Sequence, residues 1–370
     1  MNAPTRTMRA RYMEWAKTRS GARFNLATSG IVSVPMSEFP LRVAELEITA
    51  PGAYGYPPLL ERIARHAEVP VECVFEAAGT SMANHLALAA VLSPGDEVLI
   101  EQPAYSPLLD LAEYFGARVQ RLARRFEDGF AINLGELERA VTSDTRLIIL
   151  TNLHNPSSAL IPAESLRAIG AIAQRVGARV LMDEAYLEVI PNDVPPTAFR
   201  IGAELGGENP FVVTNSLTKA YGLSGLRCGW IIAAPKLTRR IALLNDLFSS
   251  NAAHAAERLG VMAFDHLDTF RNRTRALLAA NRPLLDAFLD SRAELECFRP
   301  AAGTVVFPRL KRGDPEAFLT LLREKYQTTV VPGRYFERPQ HFRIGISGHS
   351  DELRGGLECL GAALDEFARD

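Results

Sequence analysis

The stretch Thr214-Asn215-Ser216-Leu217-Thr218-Lys219-Ala220-Tyr221-Gly222-Leu223-Ser224-Gly225-Leu226-Arg227-Cys228-Gly229-Trp230 sets one lysine between two hydroxyl residues and a glycine-punctuated loop. An arginine follows eight positions after the lysine. A lysine that forms a Schiff base must present a neutral amine, and partial burial or nearby cations favour that form. Arginine suits a bidentate anion such as phosphate, and short hydroxyl side chains donate to the same group. Glycines let the backbone turn sharply and approach a ligand closely.

These requirements describe a pyridoxal phosphate site. The stretch resembles the S-[LFS]-[ST]-K-x-x-G-L-x-G-x-R-x-G signature of the class I and II aminotransferases of fold type I. Ser216, Thr218, Lys219, Gly222, Gly225, Arg227 and Gly229 occupy its chemical positions. The resemblance extends from about residue 25 to the C-terminus. It implies an α/β fold: a large domain with a mainly parallel seven-stranded sheet between helices, beside a smaller, discontinuous α+β domain. The large, cofactor-binding domain is expected over 46–262, and the small one over 1–45 and 263–370.

The residues agree with that division. From about 73 to 233, short β-branched runs alternate with helical patterns, which predicts a largely parallel sheet covered on both faces. Strands are expected at 73–77, 97–101, 118–122, 146–151, 179–183, 211–215 and 229–233, with helices at 81–92, 107–115, 134–141 and 163–176. The last third reads as nearly continuous helix over 236–292. Short strands follow at 294–298, 303–308, 328–331 and 341–346, with helices at 315–325 and 351–369. The length of 370 residues exceeds what one small core needs.

Composition excludes other classes. A net charge of −2 provides no electrostatic footprint for nucleic acid. No apolar run reaches the ~18 residues a membrane span needs, and the charged first 20 residues are no secretory signal. Cys73, Cys228, Cys297 and Cys359 have neither zinc nor disulfide spacing, which fits a reducing cytoplasm. The chain lacks G-x-G-x-x-G, H-E-x-x-H and G-x-S-x-G.

Further motifs surround the lysine. Asp183-Glu184-Ala185-Tyr186 follows a predicted strand and matches the family's D-x-A-Y element. A carboxylate there can pair with a protonated pyridine nitrogen, and Tyr186 can donate to the cofactor's 3-oxygen. By themselves these residues equally describe a helix-capping aspartate and a packed tyrosine. Asn152-Leu153-His154-Asn155-Pro156-Ser157-Ser158 resembles the family's N-P-x-G turn, which assigns Asn155 to the same 3-oxygen. Ser157-Ser158 replaces the usual Thr-Gly, so the turn's shape is open, and His154 reads as a structural neighbour. Gly79-Thr80-Ser81 joins a strand to a helix, a junction that binds anions. Thr80 and Ser81 are therefore assigned to the cofactor phosphate with Ser216, Thr218 and Arg227, the alternative being a simple helix cap.

The resemblance supplies the remaining roles. It implies that Tyr105 stacks on the pyridine ring, and that Tyr54, in Tyr54-Gly55-Tyr56-Pro57, crosses a dimer interface to the partner's phosphate, Tyr56 being the alternative. Arg343, set in the apolar run Phe342-Arg343-Ile344, is implied as the clamp for the substrate's α-carboxylate. The loop Val331-Pro332-Gly333-Arg334-Tyr335-Phe336 matches the family's v-P-G-x-x-F. Gly30 offers a backbone N–H to the same carboxylate, or is an ordinary loop glycine. Lys219 is implied to hold pyridoxal 5'-phosphate as an internal aldimine and then to serve as the base, with Asp183 and Tyr186 as its catalytic companions. The expected activity is amino transfer between an L-amino acid and a 2-oxo acid in a cytoplasmic homodimer with shared sites. A lyase or a cyclising enzyme of the same fold is the alternative. A ligand-sensing domain of a transcription regulator is disfavoured, because roughly 25 residues precede the resemblance.

Overall fold

A computed structural model describes residues 9–49 and 53–369. Strands β1 (Val74–Ala78), β2 (Glu97–Gln102), β3 (Arg118–Ala123), β4 (Thr145–Thr151), β5 (Arg179–Asp183), β6 (Phe211–Ser216) and β7 (Cys228–Ile232) form one sheet in the order β1-β7-β6-β5-β4-β2-β3. Strand β7 is antiparallel to both neighbours, and the other pairs are parallel. Side chains alternate between faces along each strand. Ile148, Leu150, Val180 and Met182 enter one core, whereas Leu147, Ile149 and Leu181 enter the other. Helices cover both faces, which explains why these strands are apolar without interruption.

The topology also positions a site. Strands β1, β2, β4, β5 and β6 point the same way, so Ala78, Gln102, Thr151, Asp183 and Ser216 emerge along one edge. Antiparallel β7 starts at that edge, directly after Arg227. Loops beyond the carboxyl ends of such strands are where α/β sheets bind ligands.

A third core lies in the C-terminal third, built from Leu285, Phe318, Phe342, Ile344, Leu353 and Leu360, with Leu26 from the N-terminal segment. The strand Phe24–Asn25 ties that segment in by pairing parallel with Thr328–Thr329. Arg343 stands on the middle strand of the sheet Val305–Val306, Phe342–Gly345, Val331–Pro332. The helix Leu267–Asp290 links the cores, placing Phe270 in one and Leu285 in the other.

The structure adds two details. The nearly continuous helix expected over 236–292 is divided into three, Pro235–Asn245, His254–Asp265 and Leu267–Asp290, with no strand between them. The first break occurs where the Asn245 amide donates to the Ser250 carbonyl and accepts from the Ser249 hydroxyl, while Ser250 takes φ +57°. Such local side-chain bonds compete with the helix ladder. The charged N-terminus also contains a helix, Arg11–Thr18, whose Tyr12 and Trp15 are buried one turn apart. Among the described residues no helix is long and apolar enough to cross a membrane, and no group of side chains has the makings of a metal site.

Candidate active site

Lys219 follows β6 in a loop closed by Gly222, whose φ is +70° and where a Cβ would lie 2.6 Å from the Val32 carbonyl oxygen. The N-terminal segment runs alongside. Ile31 N donates to the Lys219 carbonyl at 3.0 Å, and a Cβ on Gly30 would touch Lys219 Cδ at 3.3 Å. Lys219 Nζ lies 3.5 Å from Ser29 Oγ, to which the Tyr186 hydroxyl donates at 2.7 Å. Lysine, Tyr186 and Gly30 thus meet at one point.

Asp183 ends β5 and is buried. Its Oδ2 accepts from Asn84 Nδ2 at 2.9 Å and its Oδ1 from Ala185 N at 3.1 Å. Asn84 Oδ1 accepts from Thr214 Oγ1 at 2.6 Å, which fixes the amide so that its nitrogen faces Asp183. Burial raises the Asp183 pKa; the Asn84 and Ala185 bonds and the Lys219 charge oppose the rise. Asp183 forms no ion pair among the described residues. A desolvated carboxylate in this state gains most from a cation, which is what a protonated ring nitrogen supplies.

The helix Gly79–Val91 starts at the same edge with Ala78 as its N-cap and no side-chain cap. Thr80 and Ser81 therefore sit in the first turn and do not cap it, leaving the first N–H groups for an anion. Gly79 has φ +76°, and a Cβ there would run into the Arg227 guanidinium. Arg227 Nη2 donates to the Ala78 carbonyl at 3.0 Å. Thr80 Oγ1 donates to Ser216 Oγ at 2.8 Å, and Thr218 N reaches the same oxygen at 3.3 Å. Thr218 Oγ1 is buried without a partner. Hydroxyls, helix N–H groups, a guanidinium and an orphaned Thr218 oxygen suit a phosphate.

Beyond β4, Asn155 N donates to Thr151 Oγ1 at 3.0 Å. Thr151 is held in turn by Glu101, which forms a buried ion pair with Arg124 at 2.7 Å. Ser158 adopts φ +59°, so the serine reproduces a conformation natural to glycine, and its hydroxyl donates to the Val305 carbonyl at 2.8 Å. His154 Nε2 lies 2.9 Å from the Pro103 carbonyl, so it carries the proton, and Nδ1 accepts from Ser157 Oγ at 2.6 Å. Burial, with Arg124 nearby, drives the His154 pKa far below its ordinary value. A neutral, doubly bonded ring is scaffolding.

Asn155 Oδ1 accepts from Arg343 Nη1 at 2.8 Å. Arg343 is fully buried; Nη2 donates to the Tyr12 hydroxyl and the Ala27 carbonyl, both at 3.0 Å, and Nε has no partner. No carboxylate pairs with it among the described residues. The ring of Tyr105 stands edge-on to Tyr12 at 5.7 Å, and burial raises the Tyr105 pKa.

Tyr54 lies apart from this cluster. It is exposed, and its hydroxyl donates to Asp246 at 3.1 Å. The Tyr56 hydroxyl accepts from Arg258 at 2.8 Å instead. Sequence reading did not single out Asn84, Ser29 or Tyr12. The available signals were a polar residue within an apolar helix, a serine beside Gly30, and a Tyr–Trp pair at helical spacing.

A family model for aminotransferases of class I and II matches residues 49–357. The chain belongs to that family. Its members use pyridoxal 5'-phosphate. Capreomycidine synthase of Streptomyces vinaceus is 31% identical over 302 residues, covering 81% of this chain and 76% of that one. A pyridoxal phosphate-dependent aminotransferase from Streptococcus suis superposes with a TM-score of 0.90 at 25% identity, over 99% of both chains. The pyridoxal phosphate-dependent cyclase OrfR gives 0.88 at 26% identity, over 98% of both.

Proposed function

We propose that this member of the family is an aminotransferase that moves the amino group of an L-amino acid to a 2-oxo acid. The observation carrying the proposal is Arg343, a buried guanidinium bonded to Asn155 of the turn after β4 and with no acid of its own among the described residues. Such a charge calls for an anion from outside, and an amino acid's α-carboxylate fits a bidentate guanidinium. Pyridoxal phosphate, when bound, supplies the electron sink for the charge left at the substrate's α-carbon.

The chain's own groups do the rest. Lys219 Nζ makes the covalent attachment, and once released takes the proton from the substrate's α-carbon. Asp183, held by Asn84, is assigned to keep the ring nitrogen protonated. Tyr186 and the Asn155 amide nitrogen are assigned to the 3-oxygen, and Tyr105 to the ring face. Thr80, Ser81, Ser216, Thr218 and Arg227 are assigned to the phosphate, and the Gly30 N–H to the carboxylate. Exposed Ile48, Tyr54, Leu247 and Phe248 support a homodimer in which Tyr54 reaches the partner's phosphate.

A second reading is favoured by the likeness to capreomycidine synthase and to a cyclase: the same proton abstraction could lead to ring closure or elimination. A half-reaction separates the two. Holoenzyme mixed with each common L-amino acid, without an oxo acid, is expected to release one 2-oxo acid per site and stop until an oxo acid is added. Continued release of oxo acid with ammonia, or a cyclised product retaining its amino group, would replace transamination with the second reading.

A further inference from the structure

A cavity of ≈ 540 Å³ lies between the Arg11–Thr18, Gly79–Val91 and Ser106–Tyr114 helices. Ser81, Asn84 and Tyr105, which belong to the site already described, form its inner side. Met13, Met82 and Leu108 make its walls apolar. One acid lines it from the Ser106–Tyr114 helix: Asp110, whose Oδ2 is buried and has no hydrogen-bond partner.

A chain of contacts joins the cavity to Arg343. From Arg343 the Tyr12 hydroxyl is 3.0 Å away, and the Tyr12 ring meets Tyr105 at 5.7 Å. Met13, next to Tyr12, accepts from the Tyr105 hydroxyl at 3.5 Å and already belongs to the cavity wall. Asp110 stands five residues beyond Tyr105, about 7.5 Å further along the helix axis. Contacts through Tyr12, Tyr105 and Met13 thus join Arg343 to the cavity that Asp110 lines.

We infer that this cavity is the side-chain subsite and that Asp110 selects L-amino acids with a cationic end, a guanidinium or an ammonium. The inference rests on the proposed role of Arg343 as carboxylate clamp. An acid oxygen stripped of water and unbonded gains more from a charged donor than from a neutral one. Burial pushes the Asp110 pKa up to about 6, with Glu113 adding to the rise and Arg11 opposing it. Arg9 and Lys17 also line the cavity, but both are exposed, and Arg9 lies 3.5 Å from Glu14. They form a solvated rim, whereas Asp110 is half-buried with its Oδ2 out of contact with solvent.

The test compares wild-type holoenzyme with the Asp110→Asn variant, a near-isosteric change at an oxygen that accepts no hydrogen bond. Half-reaction rate constants and melting-temperature shifts are measured with L-arginine, L-lysine and the neutral L-norleucine. The expected result is a loss of roughly tenfold to hundredfold for arginine and lysine in the variant, with norleucine changed by less than about threefold. Equal losses for all three amino acids, or no loss for any, would overturn the subsite. If no amino acid alters the cofactor spectrum, transamination fails separately. The melting shifts then decide the subsite: stabilisation of the wild type by arginine that the variant lacks supports it, and equal shifts refute it.

Discussion

Arg343 carries a permanent charge in the interior with only neutral acceptors around it. An uncompensated buried charge costs several kcal/mol, which fits the proposed role of holding a visiting anion. Lysine in its place keeps the charge but loses the planar fork. The Arg343→Lys variant is expected to lose about 2–3 kcal/mol of transition-state binding, roughly a hundredfold in kcat/KM. The cofactor's absorbance should remain unchanged, and a fall in cofactor occupancy would instead assign Arg343 to the cofactor. Arg343, Lys219 and Asp183 were legible in the sequence because each sits in a short string whose chemistry is local. Asn84 was not. Its role exists only through Asp183 and Thr214, which lie 99 and 130 residues away in the chain. Ser29 and Tyr12 were hidden for the same reason, since Tyr186 and Arg343 give them meaning only after folding.

The junction of β1 with the Gly79–Val91 helix depends on a single missing side chain. Gly79 combines φ +76° with contact against Arg227 and, through Gly229, close packing on β7. In the Gly79→Ala variant the arginine tip can swing aside, but it then leaves the proposed phosphate cradle. A positive φ costs an alanine about 1–2 kcal/mol. Cofactor affinity should fall by about tenfold or more through loss of one charged phosphate contact, while the far-ultraviolet spectrum stays native. Unaltered affinity would remove Arg227 from the cradle. Elements of this kind were readable where pattern and punctuation agreed, as in the apolar runs 147–150, 180–182 and 211–213. The helix break after Asn245 escaped notice because it depends on side-chain bonds to Ser249 and Ser250, not on a glycine or proline. The Arg11–Thr18 helix was hidden by its charges, Arg11, Glu14 and Lys17, all exposed while Tyr12 and Trp15 are buried.

Across the whole molecule, buried acids set the pH response. Desolvation, reinforced by Glu257, pushes the Glu76 pKa up to about 9 from 4.5, and desolvation pushes Glu184 up to about 8. The folded chain therefore holds protons that the unfolded chain has released, so stability is greatest below the unfolded value and is lost as pH rises towards the folded one. The melting temperature should fall between about pH 5 and pH 9, and the Glu76→Gln variant should fall less steeply over that range. Parallel slopes would place the response elsewhere. The proposed roles, from the Thr80 hydroxyl to the Arg343 guanidinium, all depend on one amine, Lys219 Nζ. Borohydride reduction of the holoenzyme followed by peptide mass mapping tests that dependence most directly. Wild-type protein should yield one modified peptide, with the reduced cofactor on Lys219, and Lys219→Ala should yield none; a reduced adduct at wild-type level in that variant would contradict the assignment.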